Sequence, residues 1–175
     1  MSCSQCKSSN GTPRGCKSNG TCGTDSCNKL TVFDWLANMQ LPSGHTPQPY
    51  VEVRFKNSRK QFCRYEEGLS PSVGNMVITE EDHGYDVGIV TLAGPLVALQ
   101  MKRKKKLANP DSIGTILRLA NDQELEIWET ARKREAAVQK QAREIALRLG
   151  LEMKLSDVEF QGDGKKATFY YTADK

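Results

Sequence analysis

Between Tyr50 and Leu92, apolar and polar residues alternate in short runs. Val51, Val53 and Phe55 are interleaved with Glu52, Arg54 and Lys56, and Asn57-Ser58-Arg59-Lys60 turns the chain into Gln61-Phe62-Cys63-Arg64-Tyr65. A period of two belongs to a strand with one buried face, so this stretch predicts a half-buried hairpin. After Glu66-Glu67-Gly68 and Pro71, two further strands are predicted over Val73–Ile78 and Tyr85–Leu92, joined through Glu80-Glu81-Asp82-His83-Gly84. Short strands at near-regular intervals with glycine-marked turns point to a small antiparallel barrel or a strongly curved sheet. Pro95-Leu96-Val97-Ala98-Leu99-Gln100-Met101 is read as the strand that closes it, which makes 50–101 a unit able to fold by itself. Leu107–Leu119 carries no period that selects an element.

The period then changes. Leu125, Trp128, Ala131, Val138, Ala142, Ile145 and Leu149 recur at spacings of three, four or seven, predicting a long helix over 121–149 with one narrow apolar stripe. Asn121 is placed to cap its N-terminus and Glu124 to reach back in a capping box, while Gly150 suits the C-terminal end. Glu129/Lys133 and Glu144/Arg148 are favourable i,i+4 pairs. Glu135 interrupts the stripe and argues against a long coiled coil. The stripe is expected to pack on the hairpin that follows, with a partner-binding stripe as the sharper alternative.

That hairpin is predicted over 153–173. Gly162-Asp163-Gly164 supplies the turn, with both glycines expected at positive φ, and the residues after it alternate as Ala167, Phe169, Tyr171 against Thr168, Tyr170, Thr172. So aromatic a strand needs a surface to pack on, and the few residues after Thr172 do not supply one. The expectation is that the chain is cut inside a domain, that 109–175 is the first α-β-β portion of it, and that this portion is marginal alone. The fold class is therefore α+β: a small β domain over 50–101, a basic linker over 102–108, and a partial α+β domain over 109–175.

The ends of the chain differ in composition. Residues 1–29 hold five of the six cysteines, Cys3, Cys6, Cys16, Cys22 and Cys27, among Ser, Gly, Asn, Thr and Lys, and cannot bury a core. No apolar run approaches the ~20 residues that span a bilayer, and the polar N-terminus is unlike a signal peptide, so a cytoplasmic location is expected. Cytosolic thiols stay reduced, so clustered cysteines point to metal, and C-x2-C sets two thiolates on one knuckle. Zinc and an iron–sulfur cluster both take thiolate ligands, and the later spacings do not reproduce a paired ribbon. A disordered, redox-inert tail is the competing reading. Residues 30–49 form a linker, with an apolar island at Leu30–Leu36 followed by three prolines. His45 there and His83 in its loop read as solvated, and Cys63 as a strand thiol behaving like a small hydrophobe.

The formal net charge of +4 is modest, but Lys102, Arg103, Lys104, Lys105 and Lys106 are consecutive. No acid lies between them and Asp111, so the run reads either as a solvated linker or as a patch facing nucleic-acid phosphates. The sequence has no P-loop, GxGxxG, HExxH or GxSxG, and nothing nominates a catalytic site, so no enzymatic activity is expected.

Two segments, LSDVEFQGDGKKATFYYTA and the upstream VGNMVITEEDHGYDVGIV, resemble the bacterial YaaT/RicT family, whose C-terminal domain is shared with the yeast polymerase-suppressor protein Psp. The resemblance runs over about Tyr50–Lys175. It implies a subunit that joins two small helical partners in a complex that binds iron–sulfur clusters and promotes messenger RNA maturation by a membrane-associated ribonuclease. The family's best-known cysteine cluster maps to no residue of this chain. The function expected is thus that of a non-enzymatic adaptor in a hetero-oligomeric regulatory complex, with RNA a second partner. A stand-alone nucleic-acid-binding module and a redox- or metal-sensing protein are the rivals.

Overall fold

The structure, a computed structural model, describes residues 32, 34–36, 48–104 and 112–173. Five strands form a closed barrel: β1 (Tyr50–Arg54), β2 (Lys60–Arg64), β3 (Met76–Glu80), β4 (Tyr85–Leu92) and β5 (Gly114–Leu119), in the order β1-β2-β5-β3-β4. Helix α1 (Pro95–Arg103) lies between β4 and β5 in sequence. Helix α2 (Asp122–Arg148) is followed by the antiparallel pair β6 (Met153–Phe160) and β7 (Ala167–Ala173). The molecule is α+β, as the sequence pattern predicts. Its described residues fall into two compact units, one within 1–75 and 88–114, the other within 76–87 and 115–175.

In the first unit, β1 and β2 pair antiparallel with Val51 opposite Cys63, Glu52 opposite Phe62 and Val53 opposite Gln61. Both faces of β1 are buried, so the hairpin is not half-solvated as its alternation suggests. The reason is α1. Glu52, Phe62 and Leu92 are cross-strand neighbours, and Phe62 and Leu92 pack with Leu96, Val97 and Met101 of the helix in one apolar cluster. Val32, Leu36, Tyr50 and Ile113 lie against the same cluster.

Pro95–Met101 is thus a helix and not the closing strand. Pro95 stands in the first turn, where its missing N–H costs nothing, and Leu96, Val97 and Met101 fall on one helical face while Leu99 is left exposed. An alternating strand would have buried Leu99 with Val97 and Met101. The fifth barrel strand is β5, in the stretch that shows no clear period. Of its six residues only Ile116 is buried, and Leu117 and Leu119 face solvent, so apolar side chains on both sides of the strand hide the alternation.

In the second unit, α2 is capped as its sequence predicts. The Asn121 side chain accepts from the Glu124 N–H at 2.9 Å and Glu124 accepts from the Asn121 N–H at 3.0 Å. At the other end Gly150 has φ 65°, Leu151 N–H bonds to Ala146 C=O and Gly150 N–H to Leu147 C=O. This is the Schellman arrangement, and the left-handed residue it needs is a glycine.

Candidate functional site

Glu52 is the most unusual side chain of the first unit, a carboxylate 1% exposed. Lys60 Nζ donates to its Oε1 at 2.7 Å, Thr91 Oγ1 donates to the same oxygen at 2.9 Å, and Lys104 Nζ reaches Oε2 at 3.3 Å. The Lys104 ammonium also lies 5.2 Å from the centre of the Phe62 ring. Burial acts to raise the Glu52 pKa, but the Lys60 bond and charge, the Thr91 bond and the Lys104 charge outweigh it and hold the carboxyl below its ordinary range. A carboxylate so stabilised has no proton to give near neutral pH, and the adjoining cavity of about 70 Å³, lined by Gln61, Ser112 and these residues, has room for a few waters and not for a substrate of ordinary size. The group is an anchor.

It anchors one residue of the basic run. Lys102 and Arg103 are exposed in the last turn of α1, Lys104 ends the helix on Glu52, and Lys105 and Lys106 lie outside the described residues. One cation of the run, Lys104, does meet an acid, Glu52, distant in sequence and adjacent in the fold. Nothing in the local sequence signals this, because Glu52 occupies what reads as the solvent side of an alternating strand.

Cys3, Cys6, Cys16, Cys22 and Cys27 all lie outside the described residues. Cys63 is a buried thiol outside any disulfide, and no group of three or more His, Cys, Asp and Glu able to hold a metal occurs among the described residues.

The second unit is built around the hairpin tip. Gly164 has φ 70°, but Gly162 is not at positive φ, contrary to expectation. Gly162 is needed for proximity: a Cβ there would come within 2.6 Å of the Val87 nitrogen. The tip is seated on the loop and strand after β3, since Gly162 N–H donates to Asp86 Oδ1 at 2.9 Å and Gln161 Nε2 to the His83 carbonyl at 2.9 Å. Asp163 Oδ1 accepts from Lys165 N–H within the turn, as expected of an aspartate there. Tyr85 stands beside this cluster, its pKa raised by burial and by the charges of Glu124 and Asp163 against the opposing Arg118. His83 enters through its backbone.

Along the other edge of the sheet, α2 supplies polar side chains at intervals of four. Glu135 Oε1 accepts from the Phe160 N–H at 3.0 Å, Gln139 Nε2 donates to the Ser156 carbonyl at 2.6 Å, and Arg143 donates to the Leu155 carbonyl through Nε at 3.0 Å and through a terminal nitrogen at 2.8 Å. These bonds satisfy β6 where it has no strand neighbour, including the bulge between Leu155 and Asp157. Glu135 thus joins helix to strand where the sequence suggests only an interruption. The spacing of 135, 139 and 143 is legible in the sequence, but its meaning depends on a strand edge lying opposite.

The apolar stripe of α2 divides in two. Ala131 is buried, with Leu125, Trp128, Val138 and Ala142 half-buried, whereas Ile145, Leu147 and Leu149 are exposed, together with Leu151 beyond the helix. No described helix is long and apolar enough to cross a membrane.

Residues 114–175, from the first residue of β5 onward, match the family described as PSP1 C-terminal conserved region. The chain is 30% identical over 124 residues to the Stage 0 sporulation protein YaaT of Bacillus subtilis (strain 168), an alignment covering 71% of this chain and 42% of that protein. The chain therefore spans about two fifths of that relative's length. No solved structure matches it.

Proposed function

Since the chain belongs to the YaaT/RicT family and carries its PSP1 C-terminal conserved region, we propose that it acts as a non-enzymatic adaptor subunit of a cytoplasmic regulatory complex affecting RNA processing. The observation that supports an adaptor is the exposed leucine-rich end of α2. Ile145 and Leu149 continue the apolar stripe yet stand in solvent, as do Leu147 on another side of the helix and Leu151 just beyond it, and exposed apolar side chains in this number fit the face of another protein. The relative is named a stage 0 sporulation protein, and a regulatory role of that sort fits a subunit that holds others together.

The metal link belongs to the same proposal: thiolates of Cys3, Cys6, Cys16, Cys22 and Cys27 take an iron–sulfur cluster or zinc. Metal and sulfide analysis after anaerobic purification tests it. A protein free of both, or one whose content is unchanged by Cys3→Ser with Cys6→Ser, removes the link.

The function is tested by deleting the gene in its host and mapping RNA 5′ ends. Unprocessed transcripts are expected to accumulate, to be cleared by the wild-type chain and to persist with Leu147→Glu/Leu149→Glu. Unaltered RNA ends would end the RNA-processing reading, and RNA cleavage by the purified chain alone would make it an enzyme. A stand-alone RNA-binding module is the second reading, favoured by the exposed Lys102 and Arg103.

A further inference from the structure

Two basic segments of the first unit meet at one carboxylate. Lys60, the first residue of β2, follows the turn Lys56-Asn57-Ser58-Arg59, and Lys104 closes α1 directly after Lys102 and Arg103. The two ammonium groups lie 2.7 Å and 3.3 Å from the two oxygens of Glu52. Distant in sequence, the turn and the end of the helix are thereby held side by side. The turn has a fixed shape of its own: Phe55 N–H donates to Arg59 C=O at 2.8 Å and Arg59 N–H to Lys56 C=O at 3.1 Å, around a left-handed Asn57 at φ 54°. The Arg59 guanidinium lies over the Phe55 ring, 4.1 Å from its centre.

Glu52 is buried, and the other acids among the described residues of the first unit are Asp34, Glu66 and Glu67. The two glutamates follow the far end of β2, and Asp34 accepts from the Leu36 N–H in its own segment. We propose that Lys56 and Arg59 of the turn and Lys102 and Arg103 of the helix form one track for the phosphate backbone of RNA, with Lys60 and Lys104 as the pins that set its halves together. Both segments, Lys-Asn-Ser-Arg-Lys and Lys-Arg-Lys, are polar throughout. A membrane surface is met by cations with apolar side chains among them to insert, and a protein interface has an apolar or aromatic centre. A row of phosphates asks only for cations and donors, and a guanidinium can fork onto one with two bonds. The adjacent rings, Phe55 and Phe62, are buried, so no base stacks there and the track does not read sequence. The inference rests on the reading of RNA as a partner and adds the turn, which that reading leaves out.

The test is fluorescence anisotropy of a labelled single-stranded RNA of mixed sequence with the full chain across a salt series. Lys56→Gln/Arg59→Gln is expected to flatten the log–log slope by about 1.4, as much as Lys102→Ala/Arg103→Ala, and the four substitutions together by about 2.8, at about 0.7 for each phosphate. Arg64→Gln removes an exposed cation from the far end of β2 and is expected to leave the slope unchanged. Lys56→Arg/Arg59→Lys keeps both charges and should keep the wild-type slope, which separates lost charge from a disturbed turn. The track is overturned by a glutamine pair with the wild-type slope, by Arg64→Gln flattening it equally, or by the charge-conserving pair behaving like the glutamine pair. In each of those cases RNA remains a partner through Lys102 and Arg103, whereas a wild-type chain that binds no RNA removes that reading as well. A glutamine pair that loses binding to anionic lipid vesicles and not to RNA would assign the surface to a membrane and equally reject the track.

Discussion

Glu52 is almost wholly shielded from bulk solvent, and its partners determine how acid acts on the barrel. Its pKa is lowered on folding from an ordinary value of 4.5, so the stabilisation is complete above that value and is lost as pH falls through the folded one. Urea unfolding should therefore show a loss of stability below about pH 4.5 that Glu52→Gln largely abolishes, and a profile unchanged by the substitution would relieve Glu52 of this role. At pH 7 Glu52→Gln is expected to cost about 1–3 kcal/mol, less than a fully enclosed pair, because Lys60 and Lys104 still touch water. Lys104→Ala should cost under about 1 kcal/mol, its side chain being 42% exposed. The same geometry divides the basic run. Lys102→Ala/Arg103→Ala should flatten the log–log salt dependence of RNA binding by about 1.4, at about 0.7 for each phosphate left without its cation, whereas Lys104→Ala should act first on stability. Identical slopes for wild type and the double variant would make those two side chains ordinary solvated charges. Little of this is visible in the sequence, where Glu52 and Lys104 are separated by half the barrel and each has a bland local explanation.

At the scale of elements, the legible parts are those whose signals are local. The capping box at Asn121 and Glu124, the close of α2 at Gly150 and the strand β7 all rest on neighbouring residues, and all are present. The illegible parts depend on a distant surface. α1 reads as a strand until its burial against Phe62 and Leu92 is known, and β5 shows no alternation because only Ile116 is buried. Glu135 is the clearest case, a charge that looks misplaced in an apolar stripe and is there to receive the Phe160 amide. Glu135→Ala leaves that donor without its partner and should destabilise by about 1–3 kcal/mol. Hydrogen exchange provides a local check: the Phe160 amide should exchange much faster in Glu135→Ala, and unchanged protection would show that another group satisfies it. Arg143→Ala should act at the neighbouring Leu155 carbonyl and leave Phe160 alone.

At the scale of the whole molecule, the barrel draws its fifth strand from beyond the basic run. Residues 50–101 carry four strands and most of α1 but not β5, so a fragment with these bounds lacks one strand of the barrel. A fragment ending at Met101 should show poorly dispersed amide resonances where the full chain is dispersed; native-like dispersion in the fragment would mean that four strands suffice. The PSP1 region begins at Gly114, at the start of a barrel strand and where the chain passes from the first compact unit to the second. The strand order has a further result during translation. β2 and β3 are made early yet do not neighbour each other, since β5 lies between them. While the ribosome makes α1 and the segment after it, at roughly 5–20 residues per second, the nascent chain holds two unsatisfied strand edges for a second or more. Premature pairing of β2 with β3 would shut out the strand still in the exit tunnel. Vectorial synthesis therefore leaves this small barrel exposed to a wrong closure that a chain refolding from its full length meets with β5 already at hand.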